Sequence, residues 1–217
     1  RGRSTVSIWA IVPIKPLNRS KSRLSSVLDI KQRESLSREM LERTLRTLSM
    51  VESIKGTMVV SRDSAALSLA RQLGAQTLQE SGAPELNASL TMATQVVMRM
   101  NVSGVLLIAS DIPLLQPEDI ENMVAMAKHP PVVVIGTDRR VEGTNAMLVK
   151  PPGLFPYEFG EGSLEKHRVA AEAAGADVYV YQSPTLGLDV DIPADLDLYR
   201  EMLIEREMHE PGWLVSV

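Results

Sequence analysis

The sequence predicts an α/β fold: a mixed, mostly parallel sheet flanked by helices. Three observations predict it. Short apolar, β-branched runs alternate with amphipathic stretches of helical length along the whole chain. One run, Gly104–Ala109 (GVLLIA), is apolar at nearly every position, as a strand covered on both faces requires. Capping residues and glycines stand where the helical stretches begin and end.

Taken in order, Ser7–Pro13 (SIWAIVP) reads as a buried strand. Asp29 is placed to cap a helix over Ile30–Met50, in which Leu36, Met40, Leu41, Thr44, Leu45 and Leu48 share one face. Thr57–Ser61 is a strand, and Ser64–Leu73 is a helix that Gly74 ends. Ala75–Leu78 is a short strand, Gln79–Pro84 a loop and Leu86–Val102 a helix. After Gly104–Ala109 comes a helix over Pro117–Lys128, with Pro117 in its first turn. Val132–Gly136 and Ala146–Val149 are strands around the polar loop Thr137–Asn145. Ser163–Gly175 is a helix, Asp177–Tyr181 and Leu188–Val190 are extended, and Pro193–Met208 is a closing helix. The tail Pro211–Val217 is apolar enough to dock on its own core or on a partner.

Composition narrows the function. The 217 residues suit one domain spanning the chain, and 44% hydrophobic with 23% charged residues are globular values. The absence of cysteine excludes disulfides, thiolate metal sites and cysteine nucleophiles. His129, His167 and His209 lack metal-ligand spacing. A net charge of −4 leaves no basic footprint for nucleic acid. The longest apolar run, Ile8–Ile14, is too short for a membrane span, and no secretory segment is visible, so a cytoplasmic location is expected. P-loop, glycine-rich dinucleotide and nucleophile-elbow motifs are missing.

Ligands of open α/β sheets collect at the carboxyl ends of strands. After the first strand, Lys15, Arg19, Lys21 and Arg23 put four cations within nine residues, which suits a polyphosphate. A solvated basic loop is the competing reading. Asp111 follows the most apolar strand. Asp189 and Asp191, two apart in an extended segment, would point the same way. Three converging carboxylates need a cation among them, and hard oxygen ligands suit Mg²⁺. Against this, an Asp-Ile-Pro run before a helix often serves only as a cap. Gly160, Gly162 and Ser163 open a helix whose free N–H groups suit a phosphate or carboxylate, with Ser163 as plain N-cap the alternative. His167 lies one turn further on, where packing is the commoner role of a lone histidine.

The ordered set Val12–Leu17 (VPIKPL), Lys21–Leu24 (KSRL), Leu86–Ala88 (LNA), Ser110–Leu114 (SDIPL), Gly143–Ala146 (GTNA), Phe159–Ser163 (FGEGS) and Asp189–Pro193 (DVDIP) resembles the CofC family of 2-phospho-L-lactate guanylyltransferases in coenzyme F-420 biosynthesis. The resemblance covers about Ile8 to Arg200. It implies a nucleotide-diphospho-sugar transferase-like, Rossmann-like fold. It also implies GTP as donor and 2-phospho-L-lactate as acceptor, with lactyl-2-diphospho-5′-guanosine and pyrophosphate as products. Bacterial relatives of the family use phosphoenolpyruvate. Asp111, Asp189 and Asp191 would then match metal-associated aspartates holding Mg²⁺, and Thr144, Gly160 and Ser163 the acceptor-binding positions. Lys15, Lys21 and Arg23 would lie along the triphosphate, with Asn87 and Ser110 also on the nucleotide. Asp111, Lys21 and Arg23 are the expected catalytic groups, and a homodimer is implied. Sugar-phosphate and molybdopterin nucleotidyltransferases, and a non-catalytic nucleotide-binding module, stay open as alternatives. The first two have a glycine-rich first loop where this chain is rich in Pro and Lys.

Overall fold

The computed structural model describes residues 7–81 and 85–205. The apolar tail from Pro211, residues 206–208 of the expected closing helix and the end of the Gln79–Pro84 loop lie outside the described residues. The strands are β1 (Ile8–Pro13), β2 (Ile54–Ser61), β3 (Gln76–Gln79), β4 (Gly104–Ile108), β5 (Val132–Thr137), β6 (Thr144–Lys150) and β7 (Asp177–Tyr181). The helices are α1 (Ile30–Met50), α2 (Ser64–Gln72), α3 (Leu86–Met98), α4 (Pro117–Met126), α5 (Ser163–Ala173) and α6 (Pro193–Glu205). The strands form one sheet of order β3-β2-β1-β4-β6-β5-β7, in which only β6 runs antiparallel to its neighbours.

Alternation along the central strands feeds two cores. Ala10, Val12, Leu106, Ile108, Val132, Val134 and Leu148 face the layer of α1, α2 and α4. Ile11, Val105, Leu107, Val133, Ile135 and Met147 face the layer of α3 and α5. Residues of period two are thus apolar on both sides, as an interior sheet demands. A third cluster joins α1 to α6 through Leu36, Met40, Leu196 and Tyr199. The α1 stripe expected from the sequence is buried throughout. Its start carries a reciprocal cap, with Gln32 N–H on Asp29 and Asp29 N–H on the Gln32 side chain. Gly74, at φ +84, supplies the left-handed turn after α2.

The expected extension over Leu188–Val190 is not a strand. Val190 N–H makes one bond, 3.2 Å to the Asp111 carbonyl, beyond the end of β4. No ladder continues from it, so the segment lies across the carboxyl end of the sheet. None of the helices among the described residues is long and apolar enough to cross a membrane.

Candidate active site

The carboxyl ends of β1, β4, β5 and the segment before α6 place most of the expected residues together, Arg23 and Asn87 excepted. The loop after β1 folds as two short 3-10 turns, Leu17–Arg19 and Ser22–Leu24. Lys21 stands between them in the left-handed region, φ 55 and ψ 35, which a residue with a Cβ seldom adopts. Its side chain turns inward and is 7% exposed. The Nζ lies 2.6 Å from Asp111 Oδ2 and 2.9 Å from Asp191 Oδ1, partners 90 and 170 residues away in the chain. Burial works to strip the ammonium proton, but the two carboxylates outweigh burial and hold Lys21 above its ordinary pKa. The cation expected between carboxylates is therefore, in part, supplied by the chain.

The three aspartates are not equivalent. Burial works to raise Asp191, while Lys21, then Arg23 and Lys15, more than offset it and leave the carboxyl below the usual range. Asp189 has no lysine. Burial first and the Asp111 charge next push it up to about 6, with a smaller push from Asp191 and partial relief from its own backbone and the Asn145 amide. Among the described residues, no three His, Asp or Glu side chains stand close enough to hold a metal ion by themselves. The trio gathers at one end of the sheet without closing into a cage.

The capping alternative fails for both Asp-Ile-Pro runs. At α6 the cap is Asp195, whose Oδ2 accepts from the N–H groups of Asp191 and Ile192 at 3.0 Å each. At α4 the reciprocal cap joins Gln116 and Asp119. The Asp111 and Asp191 carboxylates are left for Lys21 and for a ligand.

Two cavities meet at Asp111. The larger, about 350 Å³, is lined by Lys15, Lys21, Ser110 and Asp191, and by Arg62, Glu80 and Glu85, which sequence reasoning missed. The smaller, about 250 Å³, is lined by Thr144, Gly160, Ser163 and Asp189, with Asp138 and Phe159. Asp111 lines both, as do Pro13, Leu86 and Ala109. The i, i+2 expectation for Asp189 and Asp191 is corrected: without a strand to alternate along, the two line different cavities. Arg23 is exposed and does not line either one; its charge reaches Asp191. Asn87 spends its amide on the Phe159 backbone, accepting from the N–H at 2.8 Å and donating to the carbonyl at 3.3 Å. It thus anchors the loop that carries Gly160.

That loop departs from expectation at its helix start. Gly162, at φ +66, is the N-cap, and Ser163 is the first helical residue. The Ser163 and Leu164 N–H groups are already donated to the carbonyls of Gly160 and Glu142. Gly160, at φ +129, has open space where a Cβ would stand. The opposite wall is held by Asp138, whose Oδ1 accepts from the Glu142 and Gly143 N–H groups at 2.9 and 2.8 Å. An Asp a few residues before Glu-Gly, bonding ahead to backbone, was the available signal for this loop. His167 is fully buried, packs edge-on against Phe159 with ring centres 4.6 Å apart, and bonds to Thr144.

The chain and its fold have known counterparts. Residues 8–210 match the model of the family described as guanylyl transferase CofC like. The phosphoenolpyruvate guanylyltransferase of Rubrobacter xylanophilus is 38% identical over 88% of this chain and 92% of its own length. The 2-phospho-L-lactate guanylyltransferase of Methanothermobacter thermautotrophicus is 32% identical over 86% of this chain and 81% of its own. Among solved structures, a candidate nucleotide-diphospho-sugar transferase from Desulfovibrio desulfuricans superposes with a TM-score of 0.74 at 16% identity, over 95% of this chain and 91% of that one. The last likeness speaks for the fold alone.

Proposed function

The chain belongs to the CofC-like guanylyl transferase family, an enzyme family of the nucleotidyltransferase kind, and on that premise we propose that it transfers GMP from GTP onto phosphoenolpyruvate. One observation carries the reading: the Asp111 carboxylate, paired with Lys21, lines both cavities at their junction. Donor and acceptor phosphates must meet at such a point. The larger cavity, with Lys15 and Lys21, suits the triphosphate. The smaller, with the Thr144 and Ser163 hydroxyls and the open face of Gly160, suits a phosphorylated three-carbon carboxylic acid.

In the transfer, an acceptor phosphate oxygen attacks the α-phosphorus of GTP. A new P–O–P bond forms, the bond from the α-phosphorus to the bridging oxygen breaks, and pyrophosphate leaves with that electron pair. The acceptor phosphate is already ionised near pH 7, so no strong general base is needed. The lysines offset repulsion between the two anions and hold them in line, an effect worth up to about 11 kcal/mol.

A divalent ion fits the donor set. The ligands are hard carboxylate oxygens, and Asp189, raised by its burial first and by the Asp111 charge second, lacks the lysine that Asp111 and Asp191 share. Asp111 and Asp189, which line the same cavity, would hold Mg²⁺ together with oxygens of the bound phosphates, while Asp191 stays on Lys21; the ion would supply charge stabilisation at the α-phosphate and on departing pyrophosphate.

Phosphoenolpyruvate is favoured as acceptor because the 38%-identical relative bears that name. The acceptor expected from the sequence, 2-phospho-L-lactate, is the second reading, supported by the 32%-identical relative. A product mass spectrum from GTP with each acceptor in turn tests the choice. The expected product is the enolpyruvyl diphosphoguanosine. A conjugate formed only with 2-phospho-L-lactate moves the reading to the second acceptor, and no conjugate with either removes both.

A further inference from the structure

His167 is buried beside the smaller cavity, has no part in the transfer as described, and makes two hydrogen bonds whose logic is closed. Its Nε2 lies 3.0 Å from the Glu158 backbone nitrogen. A backbone N–H can only donate, so Nε2 must carry a lone pair. A neutral imidazole has one ring proton, which is thereby confined to Nδ1. Nδ1 lies 3.0 Å from Thr144 Oγ1, so the imidazole donates and the hydroxyl accepts. The Phe159 ring packs edge-on against the imidazole at 4.6 Å between centres, and the Phe155 ring lies tilted at 6.3 Å.

The consequence falls on Thr144. A hydroxyl has one proton to give. With its oxygen engaged by His167, and no other hydrogen-bond partner among the described residues, that proton is aimed away from the imidazole. Thr144 lines the smaller cavity beside Ser163 and Gly160. A hydroxyl that donated to the imidazole would have only lone pairs left for a ligand; this one keeps its proton to donate. We propose that His167 is a positioning residue for the acceptor: held as the Nδ1–H tautomer by the Glu158 backbone, it leaves the Thr144 hydroxyl proton free to donate to a carboxylate or phosphate oxygen. The inference rests on the reading that the smaller cavity takes the acceptor. Burial first, and the Lys166 charge second, keep the imidazole neutral, pushing its pKa to about 4, which preserves the acceptor at Nε2 near neutral pH.

Two measurements on the full chain test it. Long-range ¹H–¹⁵N spectra of the ligand-free protein at pH 7 should find the His167 proton on Nδ1; a proton on Nε2 overturns the proposal. This readout needs no turnover, so it stands or falls separately from the acceptor reading, which fails if the wild-type protein turns over neither acid. In steady-state kinetics, His167→Gln keeps an acceptor near the Nε2 position and loses the donor to Thr144. It should raise the acceptor KM by about tenfold and leave the GTP KM within about twofold. His167→Asn, which returns an N–H donor near the Nδ1 position, should recover most of that loss. Thr144→Val should raise the acceptor KM by itself, and adding His167→Gln to it should change the acceptor KM little further. Equal rises in both KM values, or multiplying effects in the double variant, would show a merely structural histidine and overturn the proposal.

Discussion

Replacing Asp189 by Asn should make the metal-free protein more stable and the enzyme nearly inactive. The Asp189 carboxyl ionises at about 6 in the fold against 3.8 in its absence, chiefly because it is buried, and next because Asp111 stands near it. A folded pKa above the unfolded one means that the native state releases this proton later. Below about pH 3.8 both states hold the proton and no penalty exists. Between 3.8 and about 6 the unfolded chain ionises first, so stability falls as pH rises. Above that window the full penalty applies. The interval is worth about 3 kcal/mol at 1.36 kcal/mol per tenfold, and solvent screening at this half-buried position reduces it to about 1–2 kcal/mol. For a chain of this size that is roughly 2–8 °C in melting temperature. Asn is near-isosteric and removes the charge. Melting curves of Asp189→Asn and wild-type protein, in chelator at pH 7.5, should therefore differ by that amount in favour of the variant. The gain should shrink toward pH 4. Adding Mg²⁺ should raise the wild-type midpoint and leave the variant nearly unmoved, while turnover in the variant falls at least about a hundredfold. A variant that melts lower than wild type in chelator, or a gain of equal size at both pH values, would mean that Asp189 carries no ionisation penalty in the fold.

Three further outcomes follow from the same geometry. Lys21→Ala should weaken GTP binding or slow transfer by about tenfold to a hundredfold, through lost charge-assisted contacts, while Lys55→Ala at an exposed position should not; nucleotide titration with pyrophosphate release measures both. Ser163→Ala should raise the acceptor KM about tenfold with little change in melting temperature, because Gly162, and not Ser163, caps α5; kinetics and melts on one preparation check it. His167 ionises at about 4 in the fold against 6.5 unfolded, so its share of stability, about 3 kcal/mol at most, is present above pH 6.5 and lost as pH falls toward 4; urea midpoints at pH 7 and 4.5 should fall less in His167→Gln than in wild type.

Most of the fold was legible in the sequence because the pattern that specifies it is local. Gly104–Ala109 reads as an interior strand from six residues, and the α1 stripe from a period of 3.6. The antiparallel entry of β6 between β4 and β5 was not legible, since strand order depends on contacts that no window contains. The same limit governs the site. That Lys15, Lys21 and Asp111 stand at strand ends follows from the rule for open sheets. That Lys21 reaches Asp111 and Asp191 does not, because it depends on a left-handed lysine and on pairings across 90 and 170 residues. The Asp191 carboxylate could not be told from a cap until Asp195 was found doing the capping. His167 carried a signal, its spacing of one turn from Ser163, but its tautomer depends on Glu158 in a loop.

If this site moves GMP from GTP with a divalent ion held by aspartates at the carboxyl end of the sheet, turnover must depend on the nucleotide, the acceptor and the metal together. Pyrophosphate release is the direct measure, taken with GTP, ATP, CTP and UTP in parallel, phosphoenolpyruvate as acceptor, and Mg²⁺ followed by chelator. Release should be fastest with GTP, should depend on acceptor, and should be lost on chelation and restored by added Mg²⁺. Faster release with another nucleotide, or a rate indifferent to chelator, would contradict this assignment.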